Sequence, residues 1–170
     1  RPDTFTVLAA LAAVTSRIGL AGTINTTYNE PYELAVQFAS LDHLSAGRAA
    51  WNMVTTSDAF TGENFRRGGF LPREQRYERA AEVVAVTRAL WDSRGAEIEH
   101  HGPQFDVTGR FPLAPLPQGH PVLIQAGDSA QGRDFAAATA DAIFTLHGTL
   151  EAGQAFYADV KARLPQHGRG

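Results

Sequence analysis

Cysteine is absent from the 170 residues, which excludes disulfides, thiolate metal sites and a cysteine nucleophile and suits a reducing, cytoplasmic setting. Lysine occurs once against fourteen arginines, a compositional bias with no function attached to it. No apolar run approaches the roughly 20 residues that a bilayer span needs. No secretory signal pattern is present either. A strong charge of one sign is also missing. The net charge of -3 provides no general attraction to nucleic acid or an anionic membrane. Several motifs that would fix a chemistry are lacking: a Walker loop, G-x-G-x-x-G, H-E-x-x-H and G-x-S-x-G. The six histidines form no metal-ligand pattern. His100 and His101 are adjacent and would lie on opposite faces of a strand, so no metal is expected.

What remains is an ordinary globular composition, 44% hydrophobic and 19% charged, in a chain long enough for one domain with a core. Helical and strand patterns alternate. The spacing predicts a helix over 4–16, capped by Asp3 or Thr4, and then a strand in "RIGLAGTINTT". A second helix begins at Pro31, with Leu34, Phe38 and Leu41 on one face and Gly47 at its end. "AAWNMVTT" reads as a strand. The clearest helix runs from Pro72 to Trp91, with Tyr77, Ala81, Val84 and Trp91 sharing one face and charge on the other. Residues 92–120 carry four prolines and an alternating "AEIEHHGPQFDV" that suits a hairpin. A strand at 121–125, a helix at about 129–139, a strand "AIFTL" and a helix at 150–163 follow.

Strands alternating with helices of 10–20 residues give an α/β fold with a parallel sheet. The candidates are a doubly wound sheet and part of a (β/α)8 barrel, since a full barrel takes about 250 residues. Either architecture binds ligands at the C-terminal ends of its strands. Those ends are Thr23–Tyr28, Asn52–Ser57, Gln125–Ser129 and Thr145–Gly148, all rich in small polar residues. In "QAGDSAQG", Gly127 permits a tight turn, and Asp128 or Ser129 can cap the following helix. Exposed N–H groups at such a turn favour a phosphate. The spacing alone favours a plain capped turn, and the anionic Asp128 opposes phosphate unless it points away. Asn52 carries both a donor and an acceptor, which suits the edge of a heterocycle or a buried backbone equally. Arg73 and Tyr77, four residues apart, share a helix face and could hold a phosphate between a cation and a phenol.

Beyond these patterns, "RIGLAGTINTTYNEPYELAVQFASLDHLSAGRAAWNMVTTS", "RYERAAEVVAVTRALWDS" and "PVLIQAGDSAQGRDFAA" occur in an order that resembles the bacterial luciferase-like, flavin-dependent monooxygenases. The resemblance is closest to the nitrilotriacetate and dibenzothiophene-sulfone monooxygenase branch. It implies a TIM barrel that takes reduced FMN from a separate flavin reductase and uses O2 to oxygenate a small organic substrate. The 170 residues would then be one partial barrel domain holding about strands three to six, with a Pro-rich insertion at 92–120 helping to shape the substrate entrance. By motif, Thr23, Asn52 and Tyr77 match flavin-facing positions, and Ser129, beside Gly127, matches a phosphate-binding serine. Arg73 stands where the family commonly has histidine. A homo-oligomer is expected. The alternative is a catalytically silent barrel fragment whose open edges make it an assembly module.

Overall fold

A computed structural model describes residues 2–56 and 71–170. In it α1 (Thr4–Val14) starts at Asp3, whose carboxylate accepts from the Thr6 N–H at 2.8 Å. Then come β1 (Leu20–Asn25), α2 (Pro31–Ser45) and β2 (Ala49–Val54). The left-handed turn that ends α2 begins one residue before the expected glycine, at Ala46 (φ 55°). Gly47 (φ 80°) completes it, its N–H donating to Asp42 O at 2.9 Å. After α3 (Arg73–Asp92) come β3 (Glu97–His101) and β4 (Asp106–Arg110), the hairpin expected from the alternation. They pair antiparallel, with His101 opposite Asp106. The chain continues with β5 (Val122–Gln125), α4 (Ala130–Thr139), β6 (Ala142–Ile143) and α5 (Leu150–Arg163).

The sheet runs β1-β2-β5-β6, every pair parallel. Each strand lies beside its predecessor in the sheet, without the reversal of order that marks a doubly wound fold. This is the progression of a barrel wall. Asn52 is opposite Thr23 on one side and Ile124 on the other, and Ile124 is opposite Ala142. β6 is shorter than "AIFTL". The Phe144 N–H still reaches Gln125 O at 3.0 Å, but Phe144 and Leu146 then turn outward and are exposed.

The helices cover one face of the sheet. Side chains alternate along a strand, so Gly22, Trp51, Met53 and Leu123 point toward them. Trp51 stacks on Phe38 with centroids 5.1 Å apart, and Leu34, Val83, Val84 and Leu90 complete a fully buried core. Each large apolar side chain there contributes roughly 1.5–3 kcal/mol. At Gly22 the helices pack closely, and a Cβ would sit 3.3 Å from the end of the Leu8 side chain. The other face carries Ala21, Thr23, Asn52, Val122 and Ile124, and both Thr23 and Val122 are exposed on it.

One expectation about the middle of the chain changes. On α3, Ala81 is exposed while Arg76, Arg79 and Glu82 are buried, so charge does not simply face water. Each of these three has partners that offset its desolvation. The segment 93–121 links the end of α3 to the start of β5, and its hairpin folds back along α3 as far as Glu82 and Arg79. It packs on the helical layer through Phe105, Phe111 and Leu116. The buried Asp42 of α2 accepts from Gln118 Nε2 at 2.6 Å, and His43 Nε2 lies 3.1 Å from Ala114 O. Through these contacts, and through the Phe105 N–H that donates to Glu82 at 2.9 Å, the segment braces α2 and α3.

Candidate functional site

Because all four strands are parallel, their C-terminal ends and the loops that follow share one edge. Thr23 and Asn52 are register partners just below it on the open face. Asn52 Nδ2 donates to Thr23 Oγ1 at 3.1 Å, while Asn52 Oδ1 is buried with no hydrogen-bond partner. An orphaned acceptor of this kind costs about 1–3 kcal/mol.

The turn after β5 is held from three sides. Ser129 caps α4, its Oγ accepting from the Gly132 N–H at 3.1 Å. A hydroxyl has one donor and two acceptor positions, so this cap leaves the Ser129 O–H free to donate. Gln125 Oε1 accepts from the Gly127 N–H at 2.5 Å. Tyr77, edge-on to Phe135 at 5.9 Å, brings its hydroxyl between the two glycines. A Cβ on Gly127 would lie 3.1 Å from that hydroxyl and 2.7 Å from Gln125 Nε2. One on Gly132 would lie 2.9 Å from the hydroxyl and 2.9 Å from Gly127 Cα. Gly127 therefore serves through close approach. Its φ is not positive, so the tight turn expected there does not draw on the left-handed region.

Asp128 is directed away from the capped amides. Its Oδ1 pairs with Arg133 Nη2 at 2.8 Å and lies 4.0 Å from His147 Nε2. The hydrogen bonds that Arg133 donates to Asp128 and Asp159 hold its guanidinium above the ordinary value, so this neighbour stays cationic. The negative charge that opposed an anion at this turn is thereby countered.

The structure thus gathers Tyr77, Gly127 and Ser129 around the α4 N-terminus and joins Thr23 to Asn52 on the neighbouring strands. Arg73 stands apart, exposed at the first residue of α3, one turn before Tyr77. Gln125 and Gly132 were not singled out from the sequence. Their spacing, two residues before Gly127 and three after Ser129, is the only local signal for them. Among the described residues no group of three His, Asp or Glu side chains could hold a metal, and no helix is long and apolar enough to cross a membrane.

The luciferase-like monooxygenase family model matches residues 1–170. The chain belongs to this family. It is 46% identical over 98% of its length to nitrilotriacetate monooxygenase component A of Aminobacter aminovorans, covering 41% of that protein. To dibenzothiophene-sulfone monooxygenase of Rhodococcus erythropolis it is 38% identical over 96% of its length, covering 40% of it. Among solved structures, a riboflavin lyase with modified FMN and substrate riboflavin superimposes with a TM-score of 0.90 at 30% identity. That match covers all of this chain and 42% of the other. The chain spans about two fifths of the length of the relatives it matches. In this luciferase-like frame the four parallel strands are consecutive staves of a partial α/β barrel.

Proposed function

We propose that this chain forms the FMN-binding rim of a flavin-dependent monooxygenase. Reduced FMN arrives from a separate flavin reductase, and O2 is used to oxygenate a small organic substrate. The observation that carries this reading is the buried, unpartnered Asn52 Oδ1 beside Thr23. It suits a donor on the edge of a flavin ring. The capped α4 N-terminus, with Ser129 O–H and the Tyr77 hydroxyl beside it, suits the phosphate at the other end of the molecule. The cradle at Gly127 and Gly132, which a Cβ would fill, lets backbone and ligand approach closely.

In this proposal Thr23 and Asn52 orient the ring system, and Tyr77, Gly127 and Ser129 anchor the phosphate. Arg73, on the same helix face as Tyr77, adds positive charge. When bound, reduced FMN supplies the electrons for oxygen activation. The chain's residues position it. Support comes from the family match, from relatives named as monooxygenases and from the riboflavin lyase that holds a modified FMN. Anaerobic titration of the purified protein with reduced FMN tests the proposal. Saturable binding is expected, and its absence in folded protein contradicts it.

A second reading has one observation in its favour. β1 and β6 are the outer strands of the described sheet, and Val122 and Phe144 are exposed near its end. Such edges suit an assembly module. Light scattering during the flavin titration separates the two, since a stable oligomer that ignores flavin supports assembly.

A further inference from the structure

The first two turns of α3 read "REQRYER", and three of these residues reach three different rim loops. Arg76 Nη1 donates to the carbonyls of Thr55 and Thr56, in the loop after β2. The Tyr77 hydroxyl fills the space between Gly127 and Gly132, in the turn after β5. Arg79 turns to the loop after β1. Its Nε donates to Thr26 O at 3.3 Å and Thr27 O at 3.0 Å, and its Nη2 to Asn29 O at 3.2 Å and Glu30 Oε1 at 3.1 Å.

Arg79 is buried, and the ring of Phe105 lies 4.3 Å beneath its guanidinium carbon. A buried cation is a costly way to fill space, and an apolar side chain of similar volume is often as good for stability. What a guanidinium adds is a planar fork that satisfies several carbonyls at fixed angles, which an ammonium cannot reproduce. The Glu30 carboxylate is largely exposed, so that ion pair contributes little, and the three carbonyls are the substantial partners. The loop they belong to is closed by Asn25, whose Oδ1 accepts from the Tyr28 N–H at 2.8 Å and whose O accepts from Asn29 Nδ2 at 2.8 Å. Asn25 lies on the same face of β1 as Thr23. Holding this loop therefore holds the strand end on which Thr23 meets Asn52.

We propose that Arg79 is a positioning residue for the rim: its guanidinium gathers the carbonyls of Thr26, Thr27 and Asn29 and, with Arg76 and Tyr77, lets one stretch of helix set the spacing of three loops. This deepens the flavin-site reading and rests on it for the ligand. The test compares the purified wild-type protein with Arg79→Lys, Glu30→Gln and Phe105→Leu, by FMN titration and by amide hydrogen exchange without flavin. Arg79→Lys is expected to lower FMN affinity at least tenfold and to speed exchange at Tyr28, while Leu123 and Trp51 in the core keep wild-type protection. Glu30→Gln is expected to stay within twofold on FMN. Phe105→Leu, which keeps the cation but loosens its support, is expected to weaken FMN about threefold, and it carries the test if Arg79→Lys does not fold. Wild-type FMN affinity in the variant that folds overturns the proposal. So does faster exchange that rises equally at Tyr28 and in the core. If the wild-type protein itself binds no FMN, the flavin reading fails, while faster exchange confined to residues 26–30 in Arg79→Lys still supports the loop-holding role.

Discussion

Asn52 Nδ2 donates to the Thr23 hydroxyl at 3.1 Å across the β1–β2 pair, leaving Asn52 Oδ1 buried and without a hydrogen-bond partner. In the proposed site this acceptor meets a donor of the flavin ring. Asn52→Leu removes the orphaned acceptor at similar volume, so the flavin-free protein is expected to unfold at the same temperature or slightly higher. FMN affinity is expected to fall about tenfold, the equivalent of one hydrogen bond of about 1.4 kcal/mol. Thermal unfolding and flavin fluorescence check the two halves. Undiminished FMN binding would remove Asn52 from the site.

The glycines of the β5 turn differ from glycines in open space. Gly132→Ala places a Cβ 2.9 Å from Gly127 Cα and from the Tyr77 hydroxyl, and the backbone side of that clash cannot yield cheaply. A loss of about 1–3 kcal/mol is expected in denaturant unfolding. Gly153, in the interior of α5, meets nothing within 4 Å. Gly153→Ala is expected to stabilise by about 0.5–1 kcal/mol through helix propensity. Equal effects at the two positions would refute the close-approach reading.

Glu82 links α3 to the hairpin. Burial works to raise its carboxyl, but hydrogen bonds from His100 at 2.9 Å and from the N–H groups of Phe105 and Gln104 outweigh this and hold it below the ordinary carboxylate range. A group depressed on folding stabilises the fold above its unfolded value. That contribution is lost as pH falls through the lower, folded value. Glu82→Gln is expected to cost about 1–3 kcal/mol at neutral pH. It is also expected to flatten the loss of stability on acidification. Urea unfolding at several pH values measures both, and an unchanged acid profile would show that Glu82 contributes nothing to it.

Period-2 and period-3.6 patterns made most elements legible. "AEIEHHGPQFDV" became β3 and β4, and α5 fell on its expected residues because Thr149 caps it, accepting from the Ala152 N–H. The branch-level family resemblance was legible too, since whole strings carry it. Tertiary approach was not. Nothing local in "QAGDSAQG" shows that a tyrosine from another helix closes over Gly127, where a Cβ has no room. Arg76 and Arg79 look like a solvated face until the carbonyls of two distant loops are known to lie beside them. Proline content alone could not say what the 92–120 segment packs against, which is α3 through Phe105 and α2 through Gln118.

In the proposed site the Gly127–Ser129 turn takes the phosphate of FMN. Parallel titrations of wild-type and Ser129→Ala protein with FMN and with riboflavin, which lacks the phosphate, test it most directly. Wild-type protein is expected to bind FMN at least about tenfold more tightly than riboflavin, a margin of ~1.4 kcal/mol, and Ser129→Ala to narrow that margin to about threefold or less. Equal affinity of the wild-type protein for FMN and riboflavin would contradict it.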